Sequence, residues 1–495
     1  MSVMQSRTAM LAVLLISSAA CTSSDPLRPL AATQIAAAGG NGQMGQVSAT
    51  LADPLTVLAT DAAGNAVPDV TVSWSVVSGG GSVTPSSTTN SSGLATAVFT
   101  LGATLGEQSV QAQAAGLTAV VFTATSVAAG SGLSVVGGGD NVLERFSSDL
   151  WVHGNYAYSG TWGFREEEGN TLKVWSLGAG GGPTLVGSVT VPDIGTVSDV
   201  QVSEDGQLLV LSGERGPDGG IFLYSLSNPA APSFISSALV GDAGVHTVTL
   251  STIAGRLYAF AARNPGFPES PETDPALLIY DVTDPEAPTL VATKRFPERA
   301  YGIHDTYVRD GIAFAFVWDD PGLVIYDVGN GIRGGSPSSP VEISRLITAT
   351  NGVCCGPSVH NGWWFHNPVT SERRYLFIGQ EGAANIGSSS SGDIHVVDVS
   401  NLSQPHEVAF FHLNGAGTHN FWMDEERQTL YAAYYNGGVV ALDVSGTLTG
   451  NLSGRLRGQV KPGGAGNTFT WGVQLANGYL YAIDMLSGLW QLSTE

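Results

Sequence analysis

Four histidines recur at one position of a repeated corner, in His246-Thr247, His304-Asp305, His360-Asn361 and His419-Asn420. The matching corners elsewhere are Ser148-Asp149, Ser198-Asp199 and Trp471-Gly472. Imidazole titrates near neutral pH and is the commonest side-chain metal ligand. A carboxylate or amide beside it can fix the ring's orientation from behind. Three converging histidines with an open coordination position suit Zn, Cu or Fe. The same residue types also serve a structural end, bonding to the backbone of a neighbouring unit and holding an array in register. The sequence leaves both readings open.

The elements that position these residues follow from the repeat. Each corner opens a short strand-like run, which turns into a second apolar run such as Tyr156-Ala157-Tyr158 or Tyr431-Ala432-Ala433. Self-similarity at a period of roughly 50 to 60 residues indicates an array of four-stranded units, as in β-propellers. Seven corners predict seven blades. The start of each innermost strand then lies at the mouth of a central channel, so equivalent positions form a ring. The candidate ligand-binding set at that mouth is His246, His304, His360, His419 and Trp471, with Asp149, Asp199, Asp305, Asn361 and Asn420 at the next position. The four histidines are the candidate metal ligands. Blade seven has only three strands of its own, and Leu133-Ser134-Val135-Val136 is the natural donor of the fourth.

Aromatic residues crowd the same region. The phrase H-N-x-W occurs at 360–363 and again at 419–422, and Trp364 follows the first. Such faces beside polar groups hold sugars and small amphipathic ligands, and they equally pack blades. Cys354-Cys355, six residues before His360, is the other chemical feature. In an oxidising compartment two thiols rarely stay free, which predicts a disulfide between these neighbours. A thiolate pair joining His360 on a metal, or two plain surface cysteines, are the alternatives. No Ser-His-Asp order, P-loop or dinucleotide fingerprint occurs, and Gly-rich stretches such as 178–182 read as turns.

Within the repeats a phrase recurs at the third strand: Leu278-Ile279-Tyr280-Asp281-Val282-Thr283-Asp284-Pro285, Leu323-Val324-Ile325-Tyr326-Asp327-Val328 and Ile394-His395-Val396-Val397-Asp398-Val399-Ser400. Shorter versions stand at 221–226 and 439–444. These resemble the LVIVD-repeat family of secreted β-propellers over most of 133–495. The resemblance implies the fold and leaves the activity open, since propellers host binding and catalysis alike.

Residues 32–126 form a different pattern. Val70-Thr71-Val72-Ser73-Trp74-Ser75-Val76 alternates as a half-buried antiparallel strand, and Gly64-Asn65, Gly79-Gly80-Gly81 and Ser92-Gly93 mark turns. The segment from Asp61 to Val70, D-x-x-G-N-x-V-P-x-V, resembles the invasin/intimin type of bacterial Ig-like domain. Asn90-Ser91-Ser92-Gly93-Leu94-Ala95 and Leu101-Gly102 fit the same family. The resemblance implies a rigid spacer with Trp74 in its core. The expected fold class is therefore all-β, an Ig-like β-sandwich (32–126) and a seven-bladed propeller (133–495) joined by a hinge at 127–132.

The first 20 residues read as a secretory signal peptide: Arg7, an apolar stretch from Ala9 to Ile16, then Ser17-Ser18-Ala19-Ala20. Eight apolar residues are too few to span a bilayer. Cys21 is placed like the lipid-bearing cysteine of bacterial lipoproteins, although Ser18 stands where that family usually has leucine. The resemblance implies lipidation at Cys21, a tether over 21–31, and an extracytoplasmic protein touching the membrane through its anchor alone.

The chain has 495 residues, 64 of them glycine, and a formal net charge of −22. The glycine excess suits a fold of many tight turns. With no polybasic stripe, nucleic acid is a poor partner. The acidity gives a soluble, self-repelling, monomeric surface, and admits calcium beside a transition metal as a possible cation. The reading favours a binding or scaffold protein at the cell envelope, with a small polar ligand or a surface protein or glycan as partner. A metal-dependent hydrolase or oxidoreductase using the histidines, and an adhesion module, are the competing classes.

Overall fold

A computed structural model describes residues 31–494, apart from 52, 128–131, 164–167, 179–180, 243, 265–274, 297–301, 319–321 and 348–357. The leader with Cys21, most of the hinge, and Cys354-Cys355 lie outside the described residues.

The chain is all-β. From residue 134 onward its strands form seven antiparallel four-stranded units, the first two joined in one sheet, the fifth extended by a parallel pairing with Gly450–Asn451, and the seventh completed by Ser134–Gly138. Their first strands are Phe146–His153, Thr196–Val202, Thr247–Ile253, Ile303–Arg309, Ser358–Phe365, Phe421–Asp424 and Thr470–Ala476. Each first strand contacts the first strand of the next unit, and the seventh contacts the first. This circular order is that of a β-propeller. The second and third strands are buried on both faces because they lie between blades. Ile312–Val317 and Gly322–Asp327 therefore read as continuous apolar runs rather than alternating ones.

The recurrent third-strand phrase has a local cause. Its aspartate accepts a backbone hydrogen bond from two residues on, capping the turn into the fourth strand. Asp281 Oδ1 accepts from Thr283 N at 3.1 Å, Asp398 Oδ1 from Ser400 N at 3.0 Å and Asp443 Oδ1 from Ser445 N at 2.8 Å. Such Asx turns satisfy an otherwise orphaned amide at a chain reversal.

The ring closes as the strand arithmetic requires. Ser134–Gly138 pairs antiparallel with Gly488–Ser493, matching Val135 with Leu492 and Gly138 with Trp490. The closing strand buries little side chain, since Val135 is 42 % exposed. A fourth strand lies on the outer rim, so its contribution is ladder hydrogen bonds and edge cover rather than apolar burial. Asn141 adds a clamp: its Oδ1 accepts from Leu489 N and its Nδ2 donates to Leu489 O, both at 3.0 Å.

Residues 34–127 form a separate unit. A three-stranded sheet (Gln34–Gly39, Leu55–Thr60, Leu94–Ala97) and a five-stranded sheet (Gln43–Gln46, Val120–Val127, Gly106–Ala114, Thr71–Ser78, Ser86–Thr88) enclose one core. Trp74 is buried there against Phe122, with its Nε1 donating to Ser87 Oγ at 2.9 Å. The Asp61–Asn65 motif is a tight turn. Asp61 Oδ1 accepts from Ala63 N and Asn65 N, each at 2.9 Å, and Gly64 supplies the positive φ of 84° that L-residues disfavour.

Candidate functional site: two cavities on one channel

The corner residues do converge on the axis, but in two layers facing two different cavities. His246, His304, His360 and His419 follow one another in T-shaped and tilted contacts, with ring centroids 4.3, 4.1 and 3.9 Å apart in that order. Trp471 continues the arc at 4.2 Å from His419. Trp162 then closes it, 5.3 Å from Trp471 and 6.3 Å from His246. Six rings thus form a closed circuit across the propeller axis.

Most of the outward imidazole nitrogens are tied to a fixed acceptor. His246 Nδ1 meets Glu214 Oε1 at 2.8 Å, His304 Nδ1 meets His360 O at 3.2 Å, and His419 Nδ1 meets Trp471 O at 2.6 Å. All three bonds cross between neighbouring blades, so His246, His304 and His419 each tie one blade to the next. Those bonds also fix the tautomer and aim Nε2 elsewhere. His246 Nε2 and His304 Nε2 stand 2.8 Å apart. His360 is 2 % exposed, yet neither of its ring nitrogens has a hydrogen-bond partner. Its Nε2 lies 3.6 Å from Glu381 Oε2, and Glu381 Oε1 accepts from Tyr435 Oη at 2.5 Å. His304, His360 and Glu381 each offer one donor atom, all within 4.8 Å of one another.

Electrostatics sorts these groups. Burial, and then the neighbouring imidazoles, push His304, His360 and His419 well below the usual histidine range, which favours their neutral form. Burial works against a charged His246 too, but the Glu214 carboxylate overcomes it and raises His246. Burial lifts Glu381 to about 7, against the opposing pull of Tyr435 and His246. One imidazolium–carboxylate pair therefore flanks a set of neutral nitrogens.

A cavity of about 620 Å³ opens on this layer, walled by Trp162, Trp318, Tyr435, Phe469, Trp471 and Met485, with Arg215 and Asn264 also lining it. Arg215 sits 5.1 Å over the Trp162 ring. Glu214, Asp242, His246, His304, Glu381 and His419 line it as well, so aromatic faces and a dense set of titratable groups share its wall.

The second corner position faces the other way. Asp149, Asp199, Asp305, Asn361 and Asn420 line a narrower cavity of about 220 Å³ on the far side of the histidines. The sequence-derived set is thus divided: the four histidines and Trp471 belong to one layer and these five residues to another. Asp199 is a clamp, its Oδ2 accepting from Val248 N of the next blade at 2.7 Å. Burial, and then Asp199, raises Asp305 to about 7.

Sequence reasoning missed Glu214, Glu381 and Trp162. All three end the second strand of their blade, in Leu208–Glu214, Tyr375–Glu381 and Tyr156–Trp162. The signal that marks them is positional: the ends of the second strands recur blade by blade just as the starts of the first strands do. Trp364 is core, 4 % exposed, with its Nε1 donating to Arg373 O at 3.0 Å.

In sequence, the LVIVD repeat model matches residues 144–163 and 389–412, within blades one and five. Similar solved structures include Sqt1 of Saccharomyces cerevisiae, at 11 % identity and a TM-score of 0.45, covering 70 % of this chain and 82 % of that one. The WD40 β-propeller domain of Doa1 is similar at 12 % identity and a TM-score of 0.48, covering 74 % of this chain and 97 % of that one. No curated protein matches the chain. The chain is a β-propeller repeat protein, similar in two of its blades to the LVIVD repeat.

Proposed function

We propose that this is an envelope-anchored binding protein whose seven-bladed head holds a transition-metal ion as its ligand-binding centre. In this reading the signal peptide and Cys21 deliver and anchor the chain, and the 32–126 unit is an Ig-like spacer that holds the head away from the membrane. The metal is held by His304, His360 and Glu381, with His246 completing the set. Imidazole and carboxylate donors of this kind suit Zn, Cu or Fe.

The observation that carries the reading is His360. A fully buried imidazole with both nitrogens unpaired costs about 1–3 kcal/mol or more, and a metal bond to Nε2 removes that cost for one of them. The outward acceptors on His246 and His304 support it, since metal-bound histidines characteristically donate their other N–H in this way. His246 Nε2–H donates to His304 Nε2 while His246 is an imidazolium; a metal displacing that proton gains two ligands at once.

A metal-dependent enzyme is the second reading, favoured by the 620 Å³ cavity that opens onto His246, His304 and Glu381. The deciding experiment is elemental analysis of the purified full chain beside His360→Leu and Glu381→Gln. The expected result is about one zinc, copper or iron ion per wild-type chain, lost in both variants while they remain folded. A folded wild-type chain that takes up no metal after incubation with each of these ions overturns the proposal.

A further inference from the structure

Where the head meets the 34–127 unit, a chain of polar side chains crosses the boundary. His412 follows the fourth strand of blade five, His406–Phe411, and Asp393 precedes the third, Ile394–Asp398. His412 Nδ1 faces Asp393 Oδ1 at 2.7 Å, and His412 Nε2 faces Asn414 Oδ1 at 2.9 Å. Asn414 Nδ2 then donates across the boundary, to Thr123 Oγ1 at 3.0 Å and to Glu107 Oε2 at 3.2 Å. Both acceptors lie on the five-stranded sheet, in Val120–Val127 and Gly106–Ala114. The two units also approach closely elsewhere along this boundary. A Cβ at Gly42 would meet Asn414 O at 3.6 Å, and one at Gly106 would meet Ser453 Oγ at 3.7 Å.

Donor and acceptor chemistry sets the protonation state of this chain. An ionised carboxylate only accepts, so the end of Asn414 that meets Glu107 must be its NH₂ group. The carbonyl end is thereby turned to His412 Nε2, and it too only accepts. Asp393 makes the same demand on Nδ1. The chain is complete only when both ring nitrogens carry a proton, which makes His412 an imidazolium. A neutral ring that keeps its bond to Asp393 sets a bare Nε2 lone pair against Asn414 Oδ1. Turning the amide over relieves that contact and sets the carbonyl against the Glu107 carboxylate instead. The charged groups facing the imidazole are Asp393 from its own blade and Glu107 from the other unit. The Asp393 hydrogen bond raises His412 above the ordinary 6.5, against its partial burial, and Asn414 and Glu107 add to the rise.

We propose that this chain is a pH-sensitive latch between the head and the 34–127 unit, closed while His412 is an imidazolium and released when Nε2 loses its proton to solvent. Because protonation favours the docked form, the latch contributes in full below the ordinary histidine value and is lost as pH rises through the docked one. The His412 side chain is half-exposed. Solvent therefore screens the link, and its loss shifts the docking equilibrium by about two- to fivefold. The latch makes no use of a metal at the channel axis.

Hydrogen exchange of the full chain, read by mass spectrometry on peptides covering 106–114, 120–127 and 410–416, reports how often the two units part. After correction for the intrinsic pH dependence of exchange, protection at the boundary should fall about two- to fivefold between about pH 5.5 and about pH 9. His412→Gln has no proton to lose over this range and should abolish the change. Glu107→Gln leaves His412 free to titrate but tolerates either orientation of the Asn414 amide, and it should abolish the change as well. Three results overturn the proposal: boundary protection in the folded wild-type chain that does not vary with pH, a pH-dependent change retained in folded His412→Gln, or the same change retained in folded Glu107→Gln.

Discussion

His246 Nε2 and His304 Nε2 lie 2.8 Å apart while the Nδ1 atom of each is already engaged, by Glu214 in one case and by His360 O in the other. Two imidazoles so constrained cannot both present bare lone pairs to one another. Either His246 carries a second proton, which Glu214 stabilises, or a metal ion takes that proton's place. Both states need the Glu214 carboxylate, and this makes Glu214 a positioning residue for the centre rather than a ligand.

Glu214→Gln should therefore retain the fold and lower metal affinity by about 10- to 100-fold, the usual effect of removing a carboxylate behind a metal-bound histidine. Competition against a chelator of known affinity measures it. Restoration by Glu214→Asp would confirm that the charge matters; unchanged affinity in Glu214→Gln would remove His246 from the ligand set.

The histidines should separate by what their removal does to stability. His360 has no hydrogen bond to lose, so His360→Leu takes two unpaired buried nitrogens out of the core. Its melting temperature in the presence of a chelator should be equal to or above wild type, with metal binding gone. His419 Nδ1 instead satisfies Trp471 O at 2.6 Å. His419→Leu removes the shorter of two donors to that carbonyl, leaving it the backbone N–H of Asn420 at 3.2 Å, and should cost about 0.5–1.5 kcal/mol. Equal destabilisation of both variants would mean that the whole ring is a register device.

How far the sequence carried these conclusions depends on the kind of signal. Periodicity located the blades and the histidine layer, because every innermost strand begins with a polar corner set against a buried run. The turn aspartates were legible because one backbone hydrogen bond explains the phrase each time. The split between the His304 layer and the Asp305 layer was not. Adjacent strand residues point to opposite sides, and the side that faces each cavity depends on the tilt and stagger of all seven blades. Glu381 escaped because it ends a strand whose interior is featureless apolar residues, so nothing local sets it apart. The exposed Val135 shows the converse: an apolar residue in the right strand need not be buried when that strand is the outermost.

Deleting residues 134–138 should destabilise the head through its edge. The deletion removes a ladder of backbone bonds worth about 0.5–1.5 kcal/mol each and leaves Gly488–Ser493 as an open strand. Unpaired edges recruit other chains, so both a lower melting temperature and concentration-dependent association are expected by light scattering. A variant that stays monomeric with unchanged melting would show that the closing strand is dispensable.

Asp327 should give the fold a pH-dependent anchor of its own. Its side chain accepts from five backbone amides of the following loop: Oδ1 from Gly329, Asn330 and Gly331 at 3.0, 2.9 and 3.2 Å, and Oδ2 from Arg333 and Gly335 at 2.7 and 3.1 Å. Burial opposes the charge, but the amides of Arg333, Gly329, Gly335 and Gly331 overcome it and hold the pKa at about 2. Since the folded value lies below the ordinary 3.8, the native state favours the ionised form. The stabilisation is present in full above the ordinary value and is lost as pH falls through the folded one. Asp327→Asn leaves some of the amides facing an N–H₂ group and should cost about 2–4 kcal/mol at neutral pH. Denaturant titrations of both proteins at pH 7 and again near pH 2 test this, and the gap between them should narrow at the lower pH. A gap that is constant across that range would assign the loss to packing rather than to the carboxylate.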